Sequence, residues 1–96
     1  MITRIVKMTF KENTSERFMT LFSENSTQIT AFPGCQRLRL LRSIDDDRVI
    51  FTLSEWLDEA SVENYRQSGL FESLWHEVKA LFAAKPEAWS LNTVAE

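Results

Sequence analysis

Residues 35–56 read CQRLRLLRSIDDDRVIFTLSEW, and the fold turns on this stretch. In its first half Leu38, Leu40 and Ile44 share one parity against Arg37, Arg39 and Ser43, with Arg42 interrupting the even set. In its second half Val49, Phe51 and Leu53 alternate against Arg48, Thr52 and Ser54. A strand throws successive side chains to opposite faces, so each half is expected to be a strand. Asp45-Asp46-Asp47 between them supplies turn formers, and the pair reads as a hairpin. The same aspartates lack the spaced acidic ligands and the glycine of a calcium loop, so no metal site is expected there.

Upstream, residues 2–10 place Ile2, Val6, Met8 and Phe10 on one parity and Thr3, Lys7 and Thr9 on the other, which predicts a strand with one buried face. Asn13, three residues before Glu16, is the expected N-cap of a helix carrying Phe18, Leu21, Phe22, Ile29 and Phe32. That helix should stop near Phe32, because Pro33 disfavours helical backbone before it and Gly34 suits a turn. Downstream, Leu57 or Asp58 opens a short helical stretch through Ala60, Val62 and Tyr65, interrupted at Ser68-Gly69. A second stretch sets Leu70, Phe71, Leu74, Trp75, Val78, Leu81 and Phe82 at helical spacing. Lys85-Pro86 ends it, and residues 87–94 form a last strand with Trp89 and Leu91 on one face.

The predicted order is thus strand, helix, strand, strand, helix, strand: an α+β, ferredoxin-like βαββαβ arrangement with a four-stranded antiparallel sheet and its helices on one face. Residues 1–96 are expected to form a single domain, since the chain is long enough for one core and too short for two. Ile5, Leu41, Ile50 and Trp56 fall on the parity opposite to the main apolar set, which makes the second sheet face less polar than a solvated face. Two sheets packed back to back would cover it, so a homodimer is expected.

The formal net charge of −3 offers no long-range attraction to nucleic acid or anionic lipid. No apolar run reaches the length of about 18 residues that a spanning helix needs, and the expected location is cytoplasmic. One cysteine and one histidine cannot make a disulfide framework or a zinc cluster. Cys35 has no neighbour in sequence that would lower its pKa, and is read as a small buried hydrophobe.

Five short pieces together resemble the antibiotic biosynthesis monooxygenase family. They are Ile2-Thr3-Arg4-Ile5-Val6, Phe32-Pro33-Gly34-Cys35, Ser54-Glu55-Trp56, the stretch Asn64-Tyr65-Arg66-Gln67-Ser68 to Phe71, and Ala84-Lys85-Pro86-Glu87-Ala88-Trp89. The resemblance implies a dimeric α/β barrel and cofactor-free oxidation of a small aromatic or polycyclic phenol or quinol, in which the deprotonated substrate supplies electrons to dioxygen. Such chemistry needs an apolar pocket, a few polar groups that favour a phenolate, and exclusion of water. Trp56 matches the tryptophan that lines the site in polyketide-oxidising members. Thr52 falls where those members carry an asparagine, which is a departure.

The expected pocket residues are therefore Trp56, Thr52, Phe71 and Trp75 for substrate binding, with Tyr65 and His76 as the catalytic candidates. Tyr65 can stack on an aromatic ligand or donate its phenolic proton, or else simply fill the core. His76 is the one side chain with an ordinary pKa near neutrality, yet its position at the edge of the apolar stripe also suits a boundary histidine. Heme degradation, another activity within the same family, rests on an asparagine, a tryptophan and a ligating histidine. The positions matching the tryptophan and the histidine hold Tyr65 and Trp75, Val6 lies close to the asparagine position, and His76 is one helical step, about 100°, beyond Trp75. A dimeric small-molecule-binding protein without catalysis is the remaining reading, which oxygen uptake with quinol-type substrates would separate from an enzyme.

Overall fold

The computed structural model describes every residue from Met1 to Glu96. Four strands, β1 (Ile2–Thr9), β2 (Cys35–Arg42), β3 (Val49–Trp56) and β4 (Glu87–Asn92), form one antiparallel sheet in the order β2-β3-β1-β4. Helices α1 (Ser15–Thr30), α2 (Glu59–Arg66) and α3 (Gly69–Val78) complete the α+β, ferredoxin-like arrangement, and a 3-10 turn over Lys79–Leu81 follows α3. The last predicted helix is therefore shorter than its apolar pattern. Leu81 ends the 3-10 turn, and Phe82 lies beyond it, bridged to Phe10 just past the end of β1.

Local chemistry sets most of the element boundaries. Asp58 caps α2 by accepting a hydrogen bond from the Ser61 amide at 2.8 Å. The Ser68 hydroxyl caps α3 by accepting from the Phe71 amide at 3.1 Å, which is why the helical region breaks at Ser68-Gly69. At α1 the expected Asn13 cap is not used. Asn13 sits at φ 65°, a left-handed turn position that asparagine tolerates, and Thr14 occupies the cap position without a side-chain cap bond. The Thr14 hydroxyl instead donates to the Lys11 carbonyl at 2.7 Å.

Phe32-Pro33-Gly34-Cys35 closes as a type II turn, with proline at its second position, Gly34 at φ +90°, and the Cys35 amide donating to the Phe32 carbonyl at 3.0 Å. The Gly34 carbonyl then accepts from the Leu57 amide at 2.8 Å, tying the turn to the end of β3. A Cβ at Gly34 would run into the Ser61 side chain and would also sit at a strained φ. Gly34→Ala should accordingly cost about 2–3 kcal/mol and lower the melting temperature by roughly 10 °C or more, readable by calorimetry.

Strand register decides which face meets the helices. Ile2, Arg4, Val6 and Met8 lie opposite Trp56, Ser54, Thr52 and Ile50 on β3, and this set forms the inner face. Ile50 and Trp56 are each 1% exposed. The register thus assigns the two faces that alternation on β3 leaves open: Val49, Phe51 and Leu53 line the outer face with Ile5 of β1 and Leu41 of β2. Ile44, predicted with the buried set, is fully exposed, because β2 stops at Arg42 and the connection to β3 begins. In that connection Asp46 accepts from the Arg48 amide and side chain, which holds its carboxyl below the usual range, and the Ser43 hydroxyl accepts from the Asp45 and Asp46 amides.

Nine of the buried apolar side chains fall into two separate groups. One joins Met8, Phe10, Phe18, Leu21, Ile50 and Val78; the other joins Ile2, Trp56 and Val62, with Phe32, Cys35 and Tyr65 packed against it. Burial pushes the Cys35 thiol up, which suits a packing role and disfavours a thiolate nucleophile.

Candidate active site

Between the inner sheet face and the helices lies a cavity of about 260 Å³ that touches both core groups. Thirteen of its eighteen lining residues are hydrophobic, so burial rather than polar contact dominates what it can bind. Its volume is just below the range of about 300–1,000 Å³ typical of sites for drug-sized ligands. That is room for a compact ligand.

Five of the six residues expected at the site line this cavity: Thr52, Trp56, Tyr65, Phe71 and Trp75. Trp56 ends β3, and its indole N–H donates to the Ser54 hydroxyl at 2.9 Å. That bond fixes the ring and occupies its only donor, leaving Trp56 as a wall rather than a polar contact. Tyr65 of α2 stacks on Trp56 with ring centres 5.0 Å apart, and Phe71 of α3 meets Tyr65 edge-on at 5.2 Å. Phe71 in turn stacks on Trp75 at 5.6 Å, which holds the two rings as one slab. His76 is exposed and is not brought to the cavity. One helical step after the inward-facing Trp75, it points toward solvent.

Tyr65 is the polar group most altered by its surroundings. Burial, reinforced by the neighbouring Cys35 and opposed by Arg4, pushes its hydroxyl up to about 12. It therefore stays protonated at neutral pH and acts as a hydrogen-bond donor, not as a base. No buried side-chain nitrogen or oxygen in the protein lacks a partner, and the Tyr65 hydroxyl, which is bonded to no other residue, stays accessible.

Sequence reasoning missed three polar residues of the lining: Arg4, Ser54 and Arg66. The signal was present, since Arg4 and Ser54 occupy the same parities as Ile2, Met8, Ile50 and Trp56. A polar residue inside an apolar parity marks either a satisfied core group or a site. No Asp, Glu, His or Lys lines the cavity, so no side chain there can serve as a general base near neutrality. No three His, Cys, Asp or Glu side chains converge in a metal-binding arrangement. No helix is long and apolar enough to cross a membrane.

A family model described as antibiotic biosynthesis monooxygenase matches residues 1–77. Among solved structures, the chain is similar to one described as an antibiotic biosynthesis monooxygenase, with a TM-score of 0.91 and 18% identity over 99% of this chain and 100% of that one. A conserved protein from Methanosarcina mazei Go1 gives a TM-score of 0.89 and 19% identity, covering 94% of this chain and 89% of the other. SnoaB, a cofactor-independent oxygenase from Streptomyces nogalater, gives 0.86 and 20% identity, covering 99% and 94%. At such identities the likeness shows the fold. A comparison with curated proteins gave no match.

Proposed function

This chain belongs to the antibiotic biosynthesis monooxygenase family, and from that premise we propose that it is a monooxygenase that oxidises a small aromatic phenol or quinol without a cofactor. The observation that carries the reading is the aromatic cavity in which Tyr65 presents a free, firmly protonated hydroxyl beside the Trp56 wall. The keto tautomer of a polycyclic phenol carries a ring-activated methylene that with dioxygen gives a carbonyl and water, and a quinol with dioxygen gives a hydroxyquinone and water, so the substrate itself supplies the reducing equivalents. The protein then has three tasks: to bury the rings, to exclude bulk water, and to stabilise negative charge on oxygen. Tyr65 donates to the substrate oxygen as it becomes anionic. With no base in the lining, the proton leaves to water at the cavity mouth, and the site selects substrates acidic enough to ionise there.

Oxygen uptake with a panel of anthrones and hydroquinones tests this reading. Wild-type protein should consume oxygen well above the uncatalysed rate and yield the carbonyl product. Binding without uptake would leave a ligand-binding protein, and the oxygenase reading would be lost.

The working unit on this reading is a homodimer in the cytoplasm, closed through the outer sheet face. Support comes from that face itself, where Leu41, Trp89 and Leu91 are 36%, 43% and 46% exposed beside Ile5, Phe51 and Leu53. Contiguous apolar surface of this kind is costly on a small monomer. Sedimentation equilibrium at micromolar concentration should give twice the chain mass of 11.2 kDa, and Leu41→Asp should shift it toward the single chain. A monomeric wild type would refute the dimer.

A further inference from the structure

One rung of the sheet crosses the inner face as Ser54, Arg4 and Ser90, from β3 through β1 to β4. Arg4 is half-buried on this rung and forms no ion pair; its guanidinium donates to the Ser90 hydroxyl at 3.1 Å. Arg66, on the last turn of α2, lines the same cavity. It pairs at 3.4 Å with Glu63, whose carboxylate lies outside the lining, in a neighbouring depression that both arginines also border. The cavity lining thus carries two guanidinium groups and no carboxylate, in a chain whose net charge is −3. Desolvation, and after it the repulsion from Arg66, pull the Arg4 pKa down, and the attraction of Glu63 offsets them only in part. Burying a charge without a partner is costly, and the fold does not need an arginine to complete the apolar face of β1.

We propose that Arg4 and Arg66 form an anion subsite at the mouth of the aromatic cavity, and that the ligand is an aromatic acid: a flat ring system held by the aromatic slab, with a carboxylate between the two guanidiniums. The inference rests on the cavity being an aromatic site, as in the function proposed above, but does not require turnover.

The test compares naphthalene-2-carboxylate with naphthalene-2-carboxamide, two probes of nearly equal shape, by quenching of tryptophan fluorescence at neutral pH and low salt. Wild-type protein should bind the acid about tenfold more tightly than the amide. Arg4→Gln should erase that preference while leaving amide affinity within about twofold, and it should not lower the melting temperature of the free protein, since it removes an unpaired, half-buried charge. Arg66→Gln, on a largely exposed helix end, should reduce the preference without affecting the fold. Acetate in equal concentration should not displace the acid, because the rings supply the remaining affinity. Equal affinity for the two probes in wild type, or a preference that survives both substitutions, overturns the anion subsite and leaves the aromatic cavity standing. Failure of both probes to bind overturns both.

Discussion

Trp56→Ala should lower the free energy of unfolding by about 3–5 kcal/mol, the usual cost of removing a large, fully buried aromatic ring. Trp56 is 1% exposed, stacks on Tyr65, meets Phe32 at 6.4 Å, and packs with Ile2 and Val62. The substitution would also leave the buried Ser54 hydroxyl without the indole N–H that donates to it. Domains of this size have total stabilities of about 5–15 kcal/mol, so the variant should approach the edge of folding. Its urea midpoint should fall by roughly 2 M. A midpoint close to wild type would mean that the ring is not held in a packed core. Because the alanine variant loses core and wall together, lost ligand binding in it would say little about the site. Trp56→Phe is the better probe of binding, since it keeps an aromatic ring against Tyr65 while removing the N–H and part of the buried ring area, at a cost of about 1–3 kcal/mol.

The residues that were hardest to read are those that build the cavity. On β1 the polar parity of Thr3, Lys7 and Thr9 left little doubt about the buried face, and the strand pairs as expected. On β3 both parities are apolar, as happens when a sheet is covered on both sides, and alternation alone could not choose between them. Thr52 and Ser54 make the inner parity the more polar of the two. They are polar because they face a cavity and, for Ser54, because Trp56 needs an acceptor, not because they face water. Pairing Ile2 with Trp56 and Met8 with Ile50 resolves the question, but that register becomes available only once the strands are docked.

The same limit explains the histidine and the arginines. His76 drew attention through its ordinary pKa, a property of the isolated side chain, whereas its direction depends on the phase of α3. Trp75 takes the inward position, and His76 follows it into solvent. Arg4 and Arg66 are far apart in sequence and line one cavity only once α2 is docked in the fold. The element order, the break at Ser68-Gly69 and the turn at Pro33-Gly34 were legible because each rests on local backbone chemistry. The electrostatics of the cavity were not, since they depend on packing across layers.

Tyr65→Phe should make the protein less sensitive to alkali while impairing its chemistry. In the folded chain the Tyr65 hydroxyl is raised to about 12, against about 10 in an unfolded chain, so folding favours its protonated form. The resulting stabilisation is complete below about pH 10 and is lost as pH rises through about 12, with a total size of about 2–3 kcal/mol. Wild-type urea midpoints should therefore fall steeply across that interval, and the phenylalanine variant, which has no proton to lose, should fall less. Cys35 has its own raised thiol and touches the same cluster, so both proteins are best compared in a Cys35→Ala background. Equal alkaline slopes would mean that the hydroxyl is not buried as described. At neutral pH the variant should keep its fold, because the ring contacts with Trp56, Phe32 and Phe71 do not involve the hydroxyl. Oxygen uptake should nevertheless drop by about tenfold or more, the effect of removing one donor from a developing oxyanion. A variant that keeps full turnover would assign Tyr65 to packing alone, and charge stabilisation in the cavity would then rest on its arginines.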